Sequence, residues 1–452
     1  MNQSTIHQEY SRSRNNFSRR RLHAGVDGTE SVMEQRSLHN IDRYCLVWFD
    51  TEISLDRNIR MQAHLRSILN DLFVFKDLGH LEGKVQKLKE QKIFFIFNGS
   101  ADKHLINRIH RRAQVAAIYV YCKRPHWDEH LRPIFPKLKS ITNDFGSLWK
   151  NLKNDVHAYE KVDNARIISS ITQTSNEFSE YQDNLIRLWA SYYNREPSYE
   201  EKELLLKTLS EYFYTNESMH NVLKEFKDTI GPTTAINWYT RESLISRLVN
   251  HAFRTSDWNL IEKLRYFIGC LYMQLTLEHS LFVKRYHENP FITLYRGQLM
   301  NRLDFDRLIK FSSRILFLTS FISASFQEHV AMNFINACEP SYNEMRLLFK
   351  IIINTDLKGT QLYADITHLS TYVHEEEVLI MSGATFIVTD ILLNTQRKVP
   401  IVLMELCPNQ QEYDFKGDNG DSFQVIPELF DPAENRVANP QDNRLPPHKT
   451  QL

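Results

Sequence analysis

The stretch His374–Met381, HEEEVLIM, sets Glu375, Glu376 and Glu377 directly against an apolar run. A Val-Leu-Ile run of this length reads as a buried β-strand, so the acidic residues stand at the mouth of a core. If the strand starts at Glu377, the side chains of Glu375 and Glu377 share one face and Glu376 takes the other, because strand side chains alternate with a period of two. Two carboxylates on one pocket wall repel each other and lose hydration on burial. Such a pair suits a site that receives a cation or a developing positive charge. Solvated carboxylates at a strand start are the other reading the run allows.

Moving outward, the chain after HENP is rich in β-type runs: FITLYRG, RILFLTSFISAS, RLLFKIII, ATFIVTDILL and VPIVLMEL. Helical patterns occur near 301–310 and 327–337, and the later runs follow one another without crossover helices, which predicts a mixed or antiparallel two-sheet core. Residues from about 156 to 285 read as helices. Within them Ile261, Leu264, Ile268, Leu271 and Leu275 step by three and four along one amphipathic face. From Arg43 the runs RYCLVWF, DLFVF, KIFFIF, VAAIYVY and LKSIT alternate with helix-length segments. Their unbroken apolarity predicts a small α/β domain with a doubly wound parallel sheet. Asp50, Glu52, Asn98, Gly99 and Ser100 lie at the carboxyl ends of its strands, where such folds bind ligands. The layout is similar to a phosphoreceiver domain, but Asn98 stands where the phosphoacceptor Asp is expected. A scaffold or docking module is the corresponding reading.

The 452 residues allow two or three domains. We divide them into a disordered tail (1–40), the doubly wound regulatory or docking domain (41–155), a helical part followed by the α+β core (156–410), and a flexible C-terminal tail (411–452). Basic and acidic residues balance at 55 each, so charge alone predicts no nucleic-acid or membrane partner. Cys45, Cys122, Cys270, Cys338 and Cys407 are scattered, with no spacing that supports disulfides or a metal. No signal-peptide or membrane-span pattern is present, and a cytoplasmic protein is expected.

Two further motifs join the acidic stretch. LYRGQ places Arg296 at the end of an apolar strand, beside Gly297, where backbone can approach a ligand closely and a guanidinium can grip phosphate. FISASFQEHVAMNF places Ser323 and Ser325 on a strand that runs into a helix. In this order and spacing the three motifs resemble the R-S-E signature of arginine-specific mono-ADP-ribosyltransferases, the family related to C2- and C3-like toxins and vertebrate ectoenzymes. The resemblance covers about 236–406. One position departs from the family pattern: Ala324 replaces Thr in the middle of the serine motif.

The resemblance implies an enzyme that transfers ADP-ribose from NAD, its substrate, to arginine side chains of a target protein, with release of nicotinamide. It assigns Glu377 to the ribosyl oxocarbenium ion and Glu375 to the acceptor guanidinium, and an acid at 375, rather than the Gln of other branches, implies an arginine acceptor. It gives Arg296 to the NAD phosphates and Ser323 to orienting Glu377 and the nicotinamide ribose, and it counts Gly297 and Ser325 with them among the NAD-binding residues. The fold binds NAD without a glycine fingerprint, in agreement with the absence of G-x-G-x-x-G here. A noncatalytic NAD-binding or interaction module and an NAD glycohydrolase are the alternatives.

Overall fold

The central strands of the first sheet are apolar through most of their length because both of their faces are covered. The structure is a computed structural model that describes residues 43–50, 56–88, 91–99, 103–122, 131–163, 167–169, 175–192, 195–241, 244–310, 315–393 and 398–408. The expected terminal tails, Glu52 and Ser100 lie outside the described residues. In chain order, β1 (Tyr44–Asp50), α1 (Asp56–Leu65), β2 (Leu72–Phe75), α2 (Leu78–Lys87), β3 (Lys92–Asn98), α3 (Lys103–His110), β4 (Val115–Tyr121) and β5 (Leu138–Thr142) come first. The strands form a five-stranded sheet in the order β2-β1-β3-β4-β5, and every neighbouring pair is parallel. On one face Val47, Phe95 and Ile118 pack with Leu81 and Val85 of α2 and Ile106 and Ile109 of α3. On the other, Trp48, Phe94 and Tyr119 pack with Met61 and Leu65 of α1.

Helix α4 (Phe145–Asp163) follows and crosses position 155. Its Leu148, Leu152, Val156 and Tyr159 share the Trp48–Phe94 core with residues much later in the chain, among them Leu299, Ala331 and Ile335. Then come β6 (Ile167–Ser169), α5 (Ser175–Ala190), α6 (Tyr199–Tyr212), α7 (Glu217–Thr229), α8 (Ala235–Thr240), α9 (Leu244–Thr255), α10 (Trp258–Lys263) and α11 (Arg265–Arg285). The apolar stripe from Ile261 to Leu275 is buried as expected, although Leu264 separates two helices rather than lying inside one. The short strand β6 falls where only helices are expected. Three residues give too few alternations to register as a strand in sequence.

The rest consists of β7 (Phe291–Asn301), α12 (Arg302–Lys310), β8 (Ile315–Leu318), β9 (Ile322–Ser325), α13 (Glu328–Ala337), β10 (Glu344–Asn354), β11 (Tyr363–Asp365), β12 (Glu377–Ile380), β13 (Thr385–Leu392) and β14 (Ile401–Cys407). Together with β6 these strands form a mixed nine-stranded sheet, β11-β12-β9-β7-β10-β14-β13-β8-β6. This corrects the two-sheet expectation. The two halves are linked by the single β7–β9 pair Tyr295–Ser325, and their apolar side chains meet in one core that includes Ile322, Val378 and Tyr363 from one half and Leu294, Phe349 and Phe386 from the other. The described residues fall in one compact unit, and among them no helix is long and apolar enough to cross a membrane. All five cysteines are buried and none is in a disulfide.

Candidate active site

The acidic stretch delivers both carboxylates to one cleft, by a different backbone from the one expected. Glu375 is not in the strand. It ends a one-turn 3-10 helix, Val373–Glu375, and Glu376 adopts the left-handed conformation at φ 45° before β12 begins at Glu377. A non-glycine residue there is strained by about 1–3 kcal/mol unless its surroundings hold it. Here Gln327 Nε2 donates to Glu376 Oε2 at 2.9 Å, and Phe326 N–H donates to the Glu376 carbonyl. Glu376 is thus turned toward the start of α13, while Glu375 and Glu377 are each 3% exposed.

Arg296 and Ser323 line the same cleft as these carboxylates. Arg296 lies in the middle of β7, not at a strand end, because the strand continues past Gly297 to Asn301. The close approach at Gly297 is made by a helix: a Cβ built there would lie 2.5 Å from Ile335 Cγ1 and 2.7 Å from the Ala331 carbonyl of α13. Arg296 is buried, and its Nη1 donates to the Ser323 carbonyl at 2.7 Å. Ser325 Oγ accepts from Gln327 N–H at 2.9 Å, which turns the chain from β9 toward α13. Ser370 Oγ donates to Glu377 Oε2 at 3.3 Å. Ala324, the departure from the family pattern, pairs with Val378 and packs into the sheet core.

Sequence reasoning missed the other side of the cleft. His157 and Lys161, one helical turn apart on α4, reach the two carboxylates across 218 and 216 residues of chain. Lys161 Nζ lies 2.9 Å from Glu375 Oε2 and 2.7 Å from Glu377 Oε1, and it donates to Ser323 Oγ at 3.3 Å. His157 Nε2 lies 2.7 Å from Glu375 Oε1. The His157 ring stacks on Tyr372 at 4.3 Å and meets the edge of Phe334. Burial works against both charges, but at Glu375 the ammonium of Lys161 and the bond from His157 outweigh it and hold the carboxyl at about 2. At Lys161 the two carboxylates likewise outweigh burial and raise the ammonium above its ordinary value. An ionised carboxylate can only accept hydrogen bonds, so with Glu375 charged His157 Nε2 is the donor in this contact. The only sequence trace of this pair is its i, i+4 spacing, which equally describes a solvated helix face.

Two small clefts share Lys161, Arg296, Ser323 and Glu377 on their walls. Glu375, Gly297 and Ser325 line the first, and Tyr239 and Asn250 line the second. Carboxylates, hydroxyl and guanidinium therefore line two adjoining clefts, with Lys161 on the walls of both.

Residues 216–410, somewhat under half of the chain, match the family model described as NAD:arginine ADP-ribosyltransferase. The resemblance read from the R-S-E residues is borne out over this segment. Among solved structures, the chain is similar to the ADP-ribosyltransferase HopU1 of Pseudomonas syringae pv. tomato at 16% identity, covering 47% of this chain and 99% of that one with a TM-score of 0.32. It is similar to a C3 ADP-ribosyltransferase from Clostridium botulinum at 14% identity, covering 42% and 94% with a TM-score of 0.28. A third similarity is to the ADP-ribosyltransferase Vis of Vibrio splendidus, solved in complex with agmatine, at 20% identity, covering 54% and 92% with a TM-score of 0.25. A comparison with curated proteins finds no match.

Proposed function

We propose that this chain is an NAD-dependent mono-ADP-ribosyltransferase that modifies arginine side chains of a protein. The observation that carries the reading is the convergence of two buried carboxylates, Glu375 and Glu377, with Ser323 and Arg296 on one cleft. In this reading the bond between nicotinamide and ribose breaks, and its electron pair leaves on nicotinamide. The cationic ribosyl carbon is stabilised by Glu377, much as a carboxylate stabilises the glycosidase transition state. Ser323 orients Glu377 and the ribose, and Ser325 supports the same edge. Arg296 faces the NAD phosphates, with Gly297 beside it. Glu375 binds the acceptor guanidinium in bidentate fashion and takes its proton as the new carbon–nitrogen bond forms. The parallel sheet, read as a doubly wound domain over 41–155, has a regulatory or docking role.

The test supplies labelled NAD and agmatine, a small guanidine acceptor, to the full chain and to its Lys161→Gln form. Label on agmatine from either protein supports the transferase. Free ADP-ribose alone identifies a glycohydrolase, and neither product identifies a noncatalytic module.

A further inference from the structure

Lys161 stands where the reaction proposed above needs empty space. Lys161 Nζ donates to Glu377 Oε1 and Ser323 Oγ and forms an ion pair with Glu375 Oε2 at 2.9 Å, so its charge is taken up by the groups that line the cleft. The remaining Glu375 oxygen, Oε1, is taken by His157. These acceptors are the groups that would face a ribosyl cation and an acceptor guanidinium. We propose that the last turn of α4 is an autoinhibitory plug: Lys161 imitates both cations, and NAD and acceptor enter only after it withdraws. The inference rests on the transferase reading of the cleft.

Several features fit a device held from outside the cleft. Lys161 lies in the final turn of α4, which ends at Asp163. Val162 of that turn and Tyr159 before it are buried in the same core as Leu148, Leu152 and Val156, so the withdrawal required is a swing of the Lys161 side chain or an opening of the final turn that brings Val162 out with it. Neighbouring Glu160 is bound by Arg247 Nε, and Arg247 Nη1 also donates to the Ile68 carbonyl at 2.5 Å. This clamp ties the same turn to the end of the segment after α1. The two clefts share Lys161 on their walls, and its departure joins their space beside Glu377. Lys161 is not itself an acceptor in this geometry: an ammonium held above its ordinary basicity by two carboxylates has no lone pair to attack with.

The experiment compares the wild-type full chain with Lys161→Gln, which removes the charge, and with Arg247→Ala, which loosens the clamp. NAD binding is measured by calorimetry, and NAD cleavage without acceptor by nicotinamide release, after near-ultraviolet circular dichroism has established that each protein is folded. Apparent affinity scales with the open fraction, so Lys161→Gln should bind NAD at least about tenfold tighter and cleave it faster. Arg247→Ala should shift both quantities in the same direction by less. NAD bound equally by all three proteins overturns the plug and leaves the transferase reading standing. NAD bound by none of them overturns that reading and the plug with it.

Discussion

Glu375 and Glu377 are equally buried, yet their surroundings differ. Glu377 faces Ser323 through the shared Lys161 and accepts from Ser370, whereas Glu375 faces His157. In a Lys161→Gln background, Glu377→Gln should lower both agmatine labelling and NAD cleavage by about 10²–10³-fold, the scale of losing one electrostatic stabiliser. Glu375→Gln should abolish labelling and spare slow cleavage, and the ratio of labelled agmatine to free ADP-ribose reads the difference. Acid stability gives a second test. The folded Glu375 carboxyl titrates at about 2 against an ordinary 4.5, so below the ordinary value the unfolded chain binds a proton that the folded chain does not. Its contribution to stability, on the order of 3 kcal/mol, is present above pH 4.5 and is lost as pH falls toward 2. Urea unfolding between pH 5 and 2.5 should therefore show a steeper loss in the wild type than in Lys161→Gln, where the main cation is gone. Equal slopes would mean that Lys161 is not what holds the Glu375 proton off. At this scale the sequence was informative: the spacing of Arg296, Ser323, Glu375 and Glu377 identified residues that the fold brings together. The Ala324 departure also finds its place, because the methyl lies in an apolar core. Ala324→Thr would bury a hydroxyl beside Val378, and we expect a loss of about 1–3 kcal/mol in urea unfolding with no gain in NAD affinity.

At the scale of elements, long apolar runs were legible and the joints between them were not. The parallel strands and β10, β13 and β14 follow from patterns that need no distant partner. The 3-10 turn before β12 depends on Gln327 and Phe326 holding a left-handed Glu376, and nothing local in HEEEVLIM announces that hold. Gly297 shows the same limit, since its close neighbour in space is α13, far from it in sequence. Gly297→Ala would force a Cβ to within 2.7 Å of the Ala331 carbonyl and 2.5 Å of Ile335. The side chain of Ile335 can shift, but the helix backbone yields less easily. We expect a loss of about 1–3 kcal/mol, the usual cost of overpacking, measured by urea unfolding. A smaller loss would mean that α13 moves away from β7 at little cost.

At the scale of the whole molecule, α4 joins what the sequence separates. VHAYEKVD reads as an ordinary amphipathic end, and no local pattern could tell that His157 and Lys161 reach Glu375 and Glu377 while Val156 and Tyr159 enter the core of the parallel sheet. Tyr159 makes the connection specific. Its hydroxyl lies 3.1 Å from both the Ala116 carbonyl of β4 and the Glu339 carbonyl beyond α13, and it accepts from Glu339 N–H at 2.9 Å. One phenol thus bridges the five-stranded sheet and the segment that packs on the nine-stranded one. Tyr159→Phe keeps the ring and leaves buried backbone groups without their partner, at a cost of about 1–3 kcal/mol. Where that cost appears is the informative part. If the shared core makes the two sheets one cooperative unit, hydrogen exchange in β3 and β4 and in β10 and β14 should lose protection by the same amount, because both report the same global opening. A loss confined to β3 and β4 would show that the parallel sheet opens by itself. Lys161 could then be withdrawn by an event in that sheet without unfolding the cleft it closes.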